Sequence, residues 1–269
     1  MLEALIFDVD GTLADTERDG HRLAFNRAFA EAGLDWQWDV ALYGELLAVT
    51  GGKERMRHYV DRYRPDMGKT RDLAAASDVA LQSRPQEPFD ALIVRLHAAK
   101  TRHYAAMLAE GTIPLRSGVR RLLEEARAQG VRLAIATTTT SDNVSALLAS
   151  TLGTHGASWF EVIGAGDVVP AKKPAPDIYT YVLERMRLDP RNCLAFEDSK
   201  NGLRAARAAG LKTVITVNDY TQAQDFTGAQ IVFDQLGEAH QPFRVLAGRH
   251  HVDGASYFDL SLARTVHGG

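Results

Sequence analysis

Five short apolar runs punctuate the chain, at residues 4–9, 131–136, 159–164, 193–196 and 213–217. Amphipathic stretches separate the later ones, and that alternation predicts a parallel sheet covered by helices. Residues 177–187 and 201–209 read as two of the intervening helices. Gly130 and Gly210 each close a helical stretch just ahead of an apolar run, the usual place of glycine at a helix C-terminus.

The first and second runs are too far apart for one crossover. Residues 16–33, 40–48, 53–63 and 88–109 each carry helical periodicity, which predicts a helical bundle inserted after the first strand as a separate lid. Residues 64–88 hold Pro65, Gly68, Pro85 and Pro88 among polar residues and read as a loop or irregular insertion. From about Leu236 the chain is rich in glycine and histidine without clear periodicity, so a loosely ordered tail or short appended element is expected there. The predicted organisation is an α/β, Rossmann-like parallel sheet core from residues 1–15 and 114–235. A helical cap spans 16–113 and a C-terminal extension spans 236–269.

Hydrophobic residues make up 45% of the chain and charged residues 24%, for a net charge of −3. A near-balanced charge argues against a nucleic-acid binder working through a basic face, and small molecules become the expected partners. Cys193 is the single cysteine. No internal disulfide can form, which fits a reducing, cytoplasmic setting and a role for Cys193 as a small buried hydrophobe. No basic leader precedes a long apolar stretch, and no apolar run reaches the ~18 residues of a membrane span.

Residues 4–13, Ala-Leu-Ile-Phe-Asp-Val-Asp-Gly-Thr-Leu, run an apolar strand into two carboxylates. Side chains alternate along a strand, so Asp8 and Asp10 share a face while Val9 points away. Two like charges so placed need a metal to neutralise one or a proton held on the other. A calcium loop does not fit, because its glycine would fall at Leu13 and its closing glutamate at Asp19. Three further pieces lie at later strand ends. Thr137 closes the run 133–137, where open α/β sheets place ligands, and it could hold a phosphoryl oxygen or cap the next helix. Lys173, fixed ahead of Pro174, could neutralise phosphate and a nucleophilic carboxylate, or it could be a solvated neighbour of Lys172. Glu197 and Asp198 close the run 193–196 and could hold a hard cation such as Mg²⁺ together with Asp8 and the Asp10 carbonyl, or could cap the following helix.

These four pieces, in this order, resemble the haloacid-dehalogenase superfamily of phosphotransferases. The resemblance implies that Asp8 is a nucleophile that becomes phosphorylated and that Asp10 is the general acid and base. It further implies that Thr137 and Lys173 bind phosphate and that the acidic site at Asp8, Asp10, Glu197 and Asp198 takes Mg²⁺. Dehalogenases lack the second aspartate of the pattern, so Asp10 argues for phosphate chemistry.

An inserted cap implies that substrate choice lies outside the sheet domain. Thr50-Gly51-Gly52-Lys53-Glu54-Arg55 puts two glycines ahead of a helix start with Lys53 and Arg55, suited to a second phosphate or simply an inter-helix turn. Glu17 and His21 lie one helical turn apart, past the nucleophile loop. Lys100 and Arg116 are further candidates, Arg116 as a phosphate clamp. The Trp36-Gln-Trp38-Asp39 segment, the glycine-lysine run and the Lys100 region resemble the CbbY-like branch. That branch implies a phosphatase of xylulose-1,5-bisphosphate. β-Phosphoglucomutase shares core and cap type and is the rival, and a non-catalytic phospho-ligand sensor should have lost Asp8 or Asp10. A dinucleotide fingerprint fails, since Val169 stands where the third glycine belongs after Gly164 and Gly166, and His250-His251 has no cysteines for zinc.

Overall fold

The computed structural model describes residues 1–49, 51–65, 88–248, 252 and 254–269. The chain divides into two compact units, Met1–Glu17 with Leu108–Gly269, and Arg18–Met107. In the second unit the helices are α1 (Arg22–Glu31), α2 (Val40–Leu46), α3 (Gly52–Tyr63) and most of α4 (Phe89–Ala109). In the first, α5 (Val119–Ala128), α6 (Ser141–Leu152), α7 (Asp177–Met186), α8 (Lys200–Ala208) and α9 (Leu260–Gly268) accompany seven strands.

Those strands are β1 (Ala4–Phe7), β2 (Arg132–Ala136), β3 (Val162–Gly164), β4 (Cys193–Glu197), β5 (Lys212–Thr216), β6 (Ile231–Phe233) and β7 (Val245–Gly248). They form one sheet in the order β3-β2-β1-β4-β5-β6-β7. The first six are parallel and β7 pairs antiparallel with β6. Every residue of β1 and β4 is buried, as strands covered on both faces require, and this is why they read as continuous apolar runs. Phe7 and Phe196 stack across the β1–β4 pair with ring centroids 4.5 Å apart. Successive strands are laid on one side of β1 and then on the other, so the order reverses beside β1 and opens a crevice at the strands' C-terminal ends. Gly130 and Gly210 sit at φ +71° and +83°. Each is followed by a backbone bond reaching back to the helix, Val131 N–H to the Ala126 carbonyl and Leu211 N–H to the Ala206 carbonyl.

Of the two expectations for the C-terminal residues, a loosely ordered tail and a short appended element, the structure shows the second. Phe258, Leu260, Ala263 and Val266 are fully buried, and α9 packs on α5 and β4. Arg121 ties the segment down through Glu238 and the Gly237 and Phe258 carbonyls. The described residues from Leu236 onward therefore complete the first unit instead of trailing from it. Their glycine and histidine content hid an apolar spacing of three residues along α9.

The second unit has an aromatic core. Trp38 lies 4.7 Å from Phe25, 4.9 Å from Phe29 and 5.4 Å from Tyr59, centroid to centroid. Asn26 brackets the Trp38 backbone, donating to its carbonyl and accepting from its N–H. Asp39 caps α2 by accepting from Leu42 N–H. The irregular 64–88 segment lies almost wholly outside the described residues. Among the described residues no helix is long and apolar enough to cross a membrane.

Candidate active site

Strand register brings the acids together. Phe7 is level with Phe196 on β4 and with Ile135 on β2, and Asp8 N–H continues the ladder to the Phe196 carbonyl at 3.0 Å. Asp8, Thr137, Glu197 and Asp198 thus emerge at one edge of the sheet, and all four are buried. Asp8, Glu197 and Asp198 each offer a carboxylate oxygen within 4.8 Å of the others.

Lys173 supplies the positive charge. Its ammonium lies 2.6 Å from Asp8 Oδ1 and 2.5 Å from Glu197 Oε1, and the side chain is buried. Burial opposes its charge, but the Asp8 and Glu197 carboxylates outweigh that and hold it above the usual lysine range. The Lys173–Pro174 peptide is cis. Lys172 points elsewhere, to Asp167 at 2.7 Å and the Gly166 carbonyl. The solvated-pair alternative therefore describes Lys172 and not Lys173.

The capping alternatives fall to other residues. Thr140 caps α6 and Ser199 caps α8, leaving Thr137, Glu197 and Asp198 to the sheet edge. Thr137 Oγ1 accepts from Thr139 N–H at 3.2 Å and keeps its own proton to donate.

Asp10 is set apart from the three clustered acids. Its Oδ1 accepts from the Thr16 hydroxyl at 2.6 Å, and its carboxylate does not join the cluster of Asp8, Glu197 and Asp198 among the described residues. Lost hydration, then the Asp8 charge, push its carboxyl up to about 7 against the pull of Thr16. Asp8 faces the Thr12 hydroxyl at 3.5 Å.

The donor set fits a hard divalent cation. Three buried carboxylates meet one ammonium, and burial raises Glu197 and Asp198 above the carboxylate range. Glu197 Oε2 is buried without a hydrogen-bond partner among the described residues. Oxygen-only ligands with an unmet negative charge suit Mg²⁺ far better than a soft metal.

Arg116 corrects a sequence expectation. It does not stand ready as a phosphate clamp, because its donors serve the Gly11, Thr216, Val217 and Asp234 carbonyls and Asp15. It ties the nucleophile loop to the ends of β5 and β6. Glu17 lies near enough to Asp10 to raise its pKa.

Within the second unit, Lys100 Nζ meets His21 Nδ1 at 2.9 Å and lies 5.3 Å from the Phe25 ring centroid. Gly52 packs on the His97 ring, leaving no room for a Cβ, and Lys53 and Lys100 add to the burial that lowers the His97 pKa. Gly52, Lys53, His21 and Lys100 are thereby linked through His97 and Phe25. Gly51, at φ +95°, stands at the N-cap of α3. Arg55 is partly committed, to the Leu46 carbonyl and the Tyr43 hydroxyl. Thr50 lies outside the described residues, as do His250 and His251.

A profile of haloacid dehalogenase-like hydrolases matches residues 2–210. The chain belongs to that family. It is 46% identical over 270 residues to protein CbbY of Cupriavidus necator, spanning 100% of this chain and 98% of that one. It is 49% identical to protein CbbY of Rhodobacter capsulatus over 88% of this chain and 95% of the other. The crystal structure of a CbbY mutant from Rhodobacter sphaeroides in complex with xylulose-1,5-bisphosphate is 42% identical. It covers 89% of this chain and 98% of that one, with a TM-score of 0.68. A putative β-phosphoglucomutase from Thermotoga maritima is 26% identical with a TM-score of 0.63, covering 86% and 94%.

Three residues of this hydrolase's site were not singled out from sequence. Tyr179, on the first turn of α7, donates to Glu197 Oε1 at 2.6 Å. Asn218, just past β5, donates to Asp198 Oδ2 at 2.7 Å. Gly202 packs so closely on the Glu197 carboxylate that a Cβ there would collide with it. The available signal was position: Tyr179 follows the Lys173-Pro174 run, and Asn218 stands at the end of the strand beside β4.

Proposed function

We propose that this enzyme is a Mg²⁺-dependent phosphatase of sugar phosphates, with xylulose-1,5-bisphosphate as its substrate. The observation that carries the reading is the Lys173 ammonium between Asp8 and Glu197 in a buried three-carboxylate cluster. A carboxylate attacking a phosphate dianion must overcome charge repulsion, and this arrangement reduces it.

In the first half-reaction an Asp8 oxygen attacks phosphorus and the bond from phosphorus to the sugar oxygen breaks. Asp10, whose raised pKa of about 7 keeps a proton available, gives that proton to the leaving alkoxide. In the second, water attacks the aspartyl phosphate, Asp10 takes a proton from it, and phosphate leaves as Asp8 is restored. Thr137 donates its hydroxyl to a phosphoryl oxygen. Asp8 and Asp198, with the Asp10 carbonyl and Glu197, would hold Mg²⁺, which supplies positive charge against the phosphoryl oxygens.

A bisphosphate has a second anionic group to recognise. His21, Lys53 and Lys100 provide cationic or polar groups for it in the cap, beside the glycines at the start of α3. The test is release of inorganic phosphate from xylulose-1,5-bisphosphate, fructose 1-phosphate and β-glucose 1-phosphate, each with and without Mg²⁺. Mg²⁺-dependent release, fastest from the bisphosphate, is expected. Conversion of β-glucose 1-phosphate to its 6-phosphate without net phosphate release would instead assign a mutase.

A further inference from the structure

Among the described residues, the Asp198 carboxylate meets a side-chain donor from outside the four sequence motifs. Asn218 Nδ2 donates to Asp198 Oδ2 at 2.7 Å. The sense of that amide is fixed, because Asn218 Oδ1 accepts from Tyr220 N–H at 2.9 Å. The main chain is held as well: Asn218 N–H donates to Thr221 Oγ1 at 3.0 Å, and the Asn218 carbonyl accepts from Thr221 and Gln222 N–H. Asn218 thus reaches Asp198 from a loop closed on itself by Asx and Thr turns.

Gly11 of the nucleophile loop packs against the pair. A Cβ at Gly11 would collide with Asp198 Oδ2 and fall 2.6 Å from Asn218 Nδ2, and φ there is +83°. The amide is therefore wedged between the acid and the loop that carries Asp8 and Asp10. An amide is a suitable partner at this point. It donates to an ionised carboxylate without bringing a positive charge that would repel a cation.

We infer that Asn218 is a positioning residue for the divalent cation: by occupying Oδ2 it orients Asp198 and leaves Oδ1 to act as ligand. This rests on the reading of the acidic cluster as a cation site. Outer hydrogen-bond partners of metal ligands commonly contribute tenfold or more to affinity, and Asn218 stands in that relation to Asp198.

The test is calorimetric titration of Mn²⁺, a spectroscopically visible stand-in for Mg²⁺, into the full-length wild type and the Asn218→Ala, Asn218→Ser and Thr221→Ala variants. Loss of the amide should weaken Mn²⁺ binding by roughly 10–100-fold. Thr221→Ala breaks the loop bond but spares the amide, and wild-type affinity is expected for it. Asn218→Ser keeps an acceptor for Tyr220 N–H and is too short to reach Asp198, so it reports the same loss if the alanine variant folds poorly. Folded Asn218 variants that bind Mn²⁺ as tightly as wild type would overturn the inference and leave the cation site standing. A wild-type protein that binds no Mn²⁺ would overturn the cation site itself.

Discussion

The Tyr179 hydroxyl donates to Glu197 Oε1 at 2.6 Å, on the same oxygen that Lys173 contacts. Tyr179 is fully buried, and burial followed by the Glu197 charge raises its pKa well above the usual phenol value, so it serves as a donor at all ordinary pH. Tyr179→Phe keeps the ring and removes that donor. Hydrogen bonds to charged groups contribute about 1.5–3 kcal/mol, so turnover should fall roughly tenfold or more with little change in substrate KM. Steady-state kinetics beside a thermal melt check this.

Lys173 balances two buried acids at once. Lys173→Met retains most of the apolar stem and leaves Asp8 and Glu197 facing each other without the ammonium. Removing one partner of a buried ion pair typically costs about 3–5 kcal/mol. The expected result is background turnover together with a lower melting temperature, measured in the same Mg²⁺ buffer.

Gly202 lies on the first turn of α8, where alanine would ordinarily favour the helix by about 1 kcal/mol. Its Cβ would collide with the Glu197 carboxylate, which Lys173 and Tyr179 already pin. Gly202→Ala should therefore cost both activity and stability, reversing the usual helix preference for alanine. Turnover reduced at least a hundredfold, roughly 3 kcal/mol, together with a lowered melting temperature is the pattern that a kinetic assay and calorimetry should find.

His267, far along the chain on α9, makes stability pH-dependent. Its Nε2 meets the Arg191 carbonyl at 2.8 Å, and burial, aided by Lys212, lowers its pKa below the usual 6.5. The unfolded chain then binds a proton that the folded one resists, so this contribution is present above about pH 6.5 and lost as pH falls below it. Melting temperatures between pH 8 and pH 5 should show a decline that His267→Gln makes shallower.

Much of this architecture is written in the chain. The apolar runs of β1 to β5 are legible in the sequence, most plainly in β1 and β4, which are buried on both faces, and the candidate catalytic residues stand at strand ends because the sheet's crevice does. β6 and β7 escaped detection: one is only Ile231–Phe233, and the other is an edge strand with all four residues exposed. Arg116 was misread for a different reason. A guanidinium after the cap segment suits phosphate, but its carbonyl partners lie about a hundred residues on, and no local pattern announces them. Asn218 and Tyr179 likewise act across the sheet, through register that becomes visible only once the strands are paired.

Phosphorylation of Asp8 is the most direct test. Enzyme mixed with xylulose-1,5-bisphosphate and Mg²⁺, quenched in acid within a single turnover and digested, can be read by mass spectrometry. The peptide carrying Asp8 should gain the mass of one phosphoryl group in the wild type and none in Asp8→Asn, which should also lose turnover. Full turnover by Asp8→Asn, or a phosphoryl group found only on another residue, would contradict an attack from this carboxylate.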